Sequence, residues 1–196
     1  MELGIYGGTF NPVHLGHIHL LRSVMDTGWL DKILVMPDRT PPHKIAPDLL
    51  PAEERAKMVS LALGNLPGVE LSRLEMESEG KSYTYLTVRR MKELFPDDHF
   101  SLIMGADMLL TFDQWRNWEE ILENVSLIAA ARDEGEYEKL IKKAEELGKT
   151  RVLKIDPLPV SSTDVRIAVK KGLPLDGLVP EAVEDYIKEK GFYRSE

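Results

Sequence analysis

The chain of 196 residues contains no cysteine. That excludes a disulfide framework, a thiolate zinc site and a cysteine nucleophile, and it suits a reducing compartment. No apolar run approaches membrane-spanning length, and the first residues show no basic region leading into an apolar one. A soluble, unprocessed, cytoplasmic protein with no membrane partner is expected. Positive charge is scarce as well, since 25 Lys and Arg stand against 33 Asp and Glu, a net charge of −8. Nucleic-acid binders usually carry a basic stripe, so no nucleic-acid partner is expected, and any polyanionic ligand must be held by local positive groups. The phosphate-binding signatures GxxxxGK[ST] and GxGxxG are both missing, as are internal repeats, low-complexity segments and a convincing linker.

What is present suits one α/β domain with a full core: 43% of residues are hydrophobic and 30% charged. Short apolar runs at 3–7, 32–37, 69–73, 99–105, 125–131 and 150–156 read as strands of a buried parallel sheet. Helical patterns lie between them at 16–27, 51–64, 82–95 and 135–147, with shorter ones at 107–111 and 118–123. This alternation predicts a Rossmann-like, doubly wound parallel sheet with right-handed crossovers and ligands at the carboxyl ends of the strands. After Pro157 the pattern changes to two helices, 162–171 and 180–190. The chain therefore reads as a single domain, 1–196, with a core over 1–157 and a small C-terminal helical segment over 158–196.

The stretch GIYGGTFNPVHLGH (4–17) starts as a buried strand, runs into two glycines and a proline, and ends on two histidines at the start of a helix. A strand that empties through such a turn into a helix is an anion site in the making, because free amides and the helix dipole meet there. Gly7 and Gly8 lack a Cβ and let backbone approach a ligand, and Pro12 stiffens the loop. His14 and His17 stand at i and i+3 and can point the same way, with Gly16 leaving room beside them. A lone histidine at a helix start is more often a cap or core residue. Two aimed into a glycine turn fit phosphate better than a zinc site that adds His19, because i and i+5 do not share a helical face.

This stretch, GGTFNPVHLGH, resembles the HxGH signature of the nucleotidyltransferase superfamily, and in its form it is similar to the bacterial nicotinate-nucleotide adenylyltransferases. HxGH alone also occurs in cytidylyltransferases, pantetheine-phosphate adenylyltransferases and class I aminoacyl-tRNA synthetases. Four further segments agree with the nicotinate-nucleotide family in order: PPHK (41–44), KSYT (81–84), GADMLLTFDQW (105–115) and VSSTDVR (160–166), followed by the ending YIKEKGFY (186–193). A pantetheine-phosphate enzyme has no reason to carry KSYT and the GAD segment with its tryptophan, and a class I synthetase needs a KMSKS-like motif and more chain. A non-catalytic nucleotide sensor using the same pocket is the rival from another class, and the intact His14, His17, Lys44 and Arg166 argue against it.

Each segment also has a bland reading. PPHK could be a solvated basic loop, VSSTDVR a helix start capped by Ser161 or Ser162, Asp107 an N-cap, and Trp118 a core residue. The resemblance implies more: adenylyl transfer from ATP to nicotinate mononucleotide, giving deamido-NAD and pyrophosphate in NAD biosynthesis. It implies that His14 and His17 stabilise the α-phosphate and leaving oxygens, that Lys44 offsets repulsion with the incoming phosphate, and that Ser162 and Arg166 anchor the outer phosphates. Gly7, Gly8, Thr9, Phe10, His17 and Asp107 would complete the ATP site together with the C-terminal helices. His43, Lys44, Thr84 through its backbone amide, and Trp115 through ring stacking would bind the nicotinate nucleotide. Mg²⁺ is expected as cofactor, bound mainly through ATP phosphates with few dedicated protein ligands, and no residue of the chain is assigned to it. Arg116 could add attraction for a carboxylate or serve as an exposed surface residue. Many family members carry an Arg-Pro-Gly turn where this chain reads Arg132, Asp133, Glu134, Gly135, which puts a nucleotide contact from Arg132 in doubt. The sequence leaves a homo-oligomer open.

Overall fold

The computed structural model describes residues 1–40, 48–78 and 80–194. Strands β1 (Glu2–Gly8), β2 (Lys32–Pro37), β3 (Val69–Leu71), β4 (His99–Gly105), β5 (Ser126–Ala131) and β6 (Thr150–Lys154) form one sheet in the order β3-β2-β1-β4-β5-β6. Every pairing is parallel. The helices are α1 (Leu15–Asp26), α2 (Ala52–Leu63), α3 (Thr84–Leu94), α4 (Ala106–Leu110), α5 (Trp118–Asn124), α6 (Glu134–Leu147), α7 (Ser162–Lys170) and α8 (Glu181–Lys190). A turn of 3-10 helix, Phe112–Gln114, joins α4 to α5 and has no counterpart in the sequence reading.

Side chains of a strand alternate between faces, so a sheet buried on both sides must split its apolar residues into two cores. It does. Tyr6, Ile33, Val35, Ile103, Ile128 and Ala130 pack with α1, α2, α7 and α8 on one face. Leu3, Ile5, Met36, Leu102, Met104, Leu127 and Ala129 pack with α3, α4, α5 and α6 on the other. Gly4 faces the first core because a Cβ there would fall within 2.7 to 3.0 Å of Leu30, Ile103 and Ile33. The C-terminal pair thus belongs to the same core as α1 and α2: Val165, Ala168, Val183 and Ile187 are all buried in it.

This topology locates the site. The chain winds outward from β1 in one direction and from β4 in the other, and β1 and β4 are neighbours. Adjacent crossovers diverge at that point and open a crevice above the carboxyl ends. β1 ends there at Gly8, β4 at Gly105, and α1 begins there. Among the described residues, no helix is long and apolar enough to cross a membrane.

Candidate active site

Gly7 and Gly8 are the last two residues of β1, in register with Met36 and Pro37, so the strand runs one residue past its expected end before the turn. The turn begins one residue later, where Phe10 adopts φ 48°, a conformation L side chains rarely take. Its ring is buried, in edge-on contact with His17 at 5.1 Å and Tyr6 at 5.6 Å. A Cβ on Gly8 would come within 3.0 to 3.2 Å of that ring, so any side chain there would press on Phe10.

His14 is the N-cap of α1 and His17 stands one turn in, their rings stacked with centroids 3.6 Å apart. The His14 amide donates to His17 Nδ1 at 3.1 Å. That bond leaves the His17 proton on Nε2, the donor a phosphate oxygen needs. His14 Nδ1 is buried without a hydrogen-bond partner among the described residues. Burial lowers the His14 pKa to about 4. It drives that of His17 well below the usual imidazole range, helped by the His14 charge. Both rings are therefore neutral donors at pH 7 in the ligand-free protein. Gly16 makes the stack fit, since a Cβ would meet His14 Nδ1 at 3.0 Å and Val160 at 3.2 Å. His19 takes no part; its ring bonds the Asp156 carbonyl at 2.9 Å.

The start of α7 closes on this turn. Ser161 is the N-cap, joined reciprocally to Asp164. Ser162 is thereby released, and its hydroxyl donates to the Pro12 carbonyl at 2.8 Å. Arg166 Nη1 donates to the Asn11 carbonyl at 2.8 Å. Residues 150 and 155 positions away in sequence thus join the histidine turn. Arg132 is exposed after β5, near enough for its charge to depress His14 further, and Asp133 caps α6.

A cavity of about 610 Å³ adjoins the loop at Thr9, lined also by Gly7 and Gly8, by Ser82, Tyr83 and Thr84, by Gln114, Trp115 and Arg116, and by Met104 and Met108. The assigned residues therefore separate into two neighbouring groups. His14, His17, Ser162 and Arg166 surround the loop, and Gly7, Gly8, Thr9, Thr84 and Trp115 line the cavity. The buried Phe10 supports the loop from beneath. Asp107 is not in the cavity wall: it lies exposed in the first turn of α4, and Gly105 is the cap. Trp115 and Trp118 both pack on Phe112, with centroids at 5.4 and 6.3 Å, and only Trp115 reaches the cavity. His43 and Lys44 lie outside the described residues.

Three residues were missed from sequence. Arg55 is fully buried and donates to the carbonyls of Leu50, Thr9, Asp38 and Arg39 and to the Asp38 carboxylate. Asp38 also receives the Thr9 hydroxyl at 2.8 Å. The signal was available, for Arg55 shares a helix face with the buried Met58 and Val59. Glu75, in the cavity wall, accepts the Thr87 hydroxyl at 2.6 Å; burial raises its pKa while the Thr87 and Ser82 hydroxyls lower it.

A helix start with two stacked neutral imidazoles beside a cavity, at the switch point of a parallel sheet, has the form of a nucleotide-binding site. The model of the Cytidylyltransferase-like family matches residues 5–168. Among curated relatives, the nicotinate-nucleotide adenylyltransferase of Bacillus subtilis is 35% identical, with 99% of each chain covered. The "Probable nicotinate-nucleotide adenylyltransferase" of Symbiobacterium thermophilum is 36% identical over 98% of this chain and 95% of its own. The chain belongs to the nicotinate-nucleotide adenylyltransferase family. Two solved structures of the Plasmodium falciparum nicotinic acid mononucleotide adenylyltransferase share the fold. The one complexed with NaAD has a TM-score of 0.82 at 23% identity, covering 98% of this chain and 97% of that one. The one complexed with APC has 0.80 at 22%, covering 98% and 96%.

Proposed function

We propose that the protein transfers the adenylyl group of ATP to nicotinate mononucleotide, releasing pyrophosphate, with the transfer centred on the 9–12 loop. The observation that carries this reading is that this short loop joins two sets of groups: Thr9 at its start lines the cavity, and its Asn11 and Pro12 carbonyls receive Arg166 and Ser162 just before the histidine stack. A pyridine nucleotide in the cavity and a triphosphate along the start of α1 then bring their phosphates together at the loop.

A phosphate oxygen of the mononucleotide attacks the α-phosphorus of ATP, the new P–O bond forms, and the bond to the β-phosphate bridging oxygen breaks. The second pKa of a phosphate monoester is near ~6, so the nucleophile is already ionised and needs no general base. Catalysis is then positioning plus charge stabilisation. The Nε2–H of His17 and the ring of His14 donate to oxygens of the α-phosphate, Ser162 and Arg166 hold the outer phosphates, and His43 with Lys44 meets the incoming phosphate. Trp115 stacks on the pyridine ring, and the amide of Thr84, at the start of α3, meets the ring carboxylate.

Adenylyl transfer from ATP generally involves a divalent metal. Among the described residues no three His, Asp or Glu side chains gather into a metal site. Mg²⁺ would be held through ATP oxygens, as it usually is. Such an ion neutralises triphosphate charge when bound. Excess chelator should accordingly abolish turnover and added Mg²⁺ restore it; full activity in chelator contradicts this role.

Pyrophosphate release from ATP and nicotinate mononucleotide is the direct test of the reaction. Backbone N–H groups reward a carboxylate and leave a carboxamide NH₂ unpaired, at about 1 to 3 kcal/mol for each donor lost. Two such donors, the amides at Thr84 and after Trp115, predict roughly 30-fold or more in kcat/KM for the acid over nicotinamide mononucleotide. Equal values, or a preference for the amide, would reject the substrate and leave the adenylyl chemistry standing.

A further inference from the structure

The cavity wall contains two carboxylic acids, Asp38 and Glu75. Asp38 is neutralised by Arg55 at 2.9 Å, whereas Glu75 has hydroxyl partners and no ion pair among the described residues. Such a wall is a poor place for an anionic ring substituent unless a cation answers it. Among the described residues, one cationic side chain lines this cavity, Arg116.

How Arg116 is held sets it apart from its neighbours. Its guanidinium lies over the ring of Tyr83 at 5.1 Å and that of Tyr85 at 5.8 Å. Arg89 covers Tyr85 at 5.2 Å and is paired through two nitrogens with the Glu120 carboxylate. Arg116 has no carboxylate partner among the described residues. Stacking on aromatic rings restrains a guanidinium without cancelling its charge and leaves its in-plane N–H fork free. The same stack ties the segment carrying Trp115 to the segment carrying Thr84.

We infer that Arg116 is the charge reader of the pyridine site: its tyrosine-stacked guanidinium is the counter-ion for the ring carboxylate of the acid mononucleotide. This inference rests on the proposed substrate and adds a side-chain determinant to the backbone contact assigned to Thr84. The guanidinium touches the substituent and not the reacting phosphates. Its loss should therefore appear in KM for the acid, leaving kcat and KM for ATP near wild type. The amide carries no charge at that position and should feel the change little.

The test compares wild type, Arg116→Gln and Arg116→Lys with both mononucleotides at saturating ATP, and measures binding of each mononucleotide by calorimetry. Arg116 is exposed, so both variants should fold as wild type. Gln should cut the acid-over-amide ratio of kcat/KM about 10-fold, and Lys should retain most of it. Raising salt from about 50 to 500 mM should narrow the ratio in wild type and not in Gln. A ratio unchanged in Gln, or an equal fall for both substrates, overturns the charge-reading role and leaves Arg116 as a stacking residue only. A wild-type protein that releases no pyrophosphate from either nucleotide would instead overturn the assigned reaction, while the calorimetric comparison still decides whether Arg116 discriminates acid from amide.

Discussion

Replacing His17 with alanine lowers kcat by at least about 100-fold, about 2.7 kcal/mol of transition-state stabilisation, in a protein that remains folded. The expectation follows from the ring's environment. Its Nδ1 is committed to the His14 amide, its face to Phe10 and His14, and only Nε2–H remains to donate. A donor fixed in advance costs no reorganisation as charge moves onto the leaving oxygens, and that is where such groups contribute most. Near wild-type turnover in a folded His17→Ala protein would remove the phosphate role.

The pH behaviour follows from the same burial. His14 and His17 have folded pKa values below the unfolded value of about 6.5, so the unfolded chain binds more protons at acid pH. Their neutral burial is without penalty above pH 6.5, and stability is lost as pH falls from 6.5 toward 4. In the free enzyme no titration of His14 or His17 should shape kcat/KM between pH 6.5 and 8. A limb in that range that disappears in His14→Ala or His17→Ala would show that one of the rings works as a cation there.

Where the sequence was legible, local chemistry decided the outcome. The strands and helices fell within about two residues of their expected ends, because a parallel sheet buried on both faces demands short apolar runs and its crossovers demand amphipathic helices. Gly16 was read as leaving room beside the histidines, and a Cβ there would crowd the His14 ring and Val160. Gly8 was assigned to ligand approach, and its neighbour in space is the Phe10 ring. Only the left-handed backbone of Phe10 brings that ring back under the strand, and nothing in the local sequence announces it. Asp107 was placed at the nucleotide because it follows a strand, and it stands exposed in the first turn of α4, just past the carboxyl end of β4 and outside the cavity wall.

The least legible feature was the support behind the loop. Thr9, Asp38, Leu50 and Arg39 come from three separate stretches, and they converge on Arg55 only in the folded chain. Ser162 and Arg166 likewise donate to carbonyls of Pro12 and Asn11, partners that no motif reveals. Backbone carbonyls are common to every residue, so side chains that bind them leave no signature in the acceptor's sequence.

Arg55→Met is therefore expected to destabilise the protein by about 3 to 5 kcal/mol. The substitution keeps much of the volume and removes every donor. The buried Asp38 carboxylate loses the Arg55 charge, and the carbonyls of Thr9, Asp38, Leu50 and Arg39 each lose a bond. Removing one partner of a buried pair is costly because the remaining charge stays desolvated, even where the intact pair adds little net stability. For a chain of this size the change corresponds to a fall in Tm of roughly 6 to 20 °C. Arg55→Lys keeps the charge and cannot reproduce the fork, so it should fall between wild type and Met. Activity should suffer beyond unfolding, since Thr9 lines the cavity and its carbonyl is bound by Arg55 at the point where the loop leaves β1. Thermal and urea unfolding of the two variants, with kcat/KM measured well below Tm, checks both parts. A Met variant within about 2 °C of wild type would mean that Asp38 and the carbonyls find other partners or water, and that this clamp is not what holds the loop.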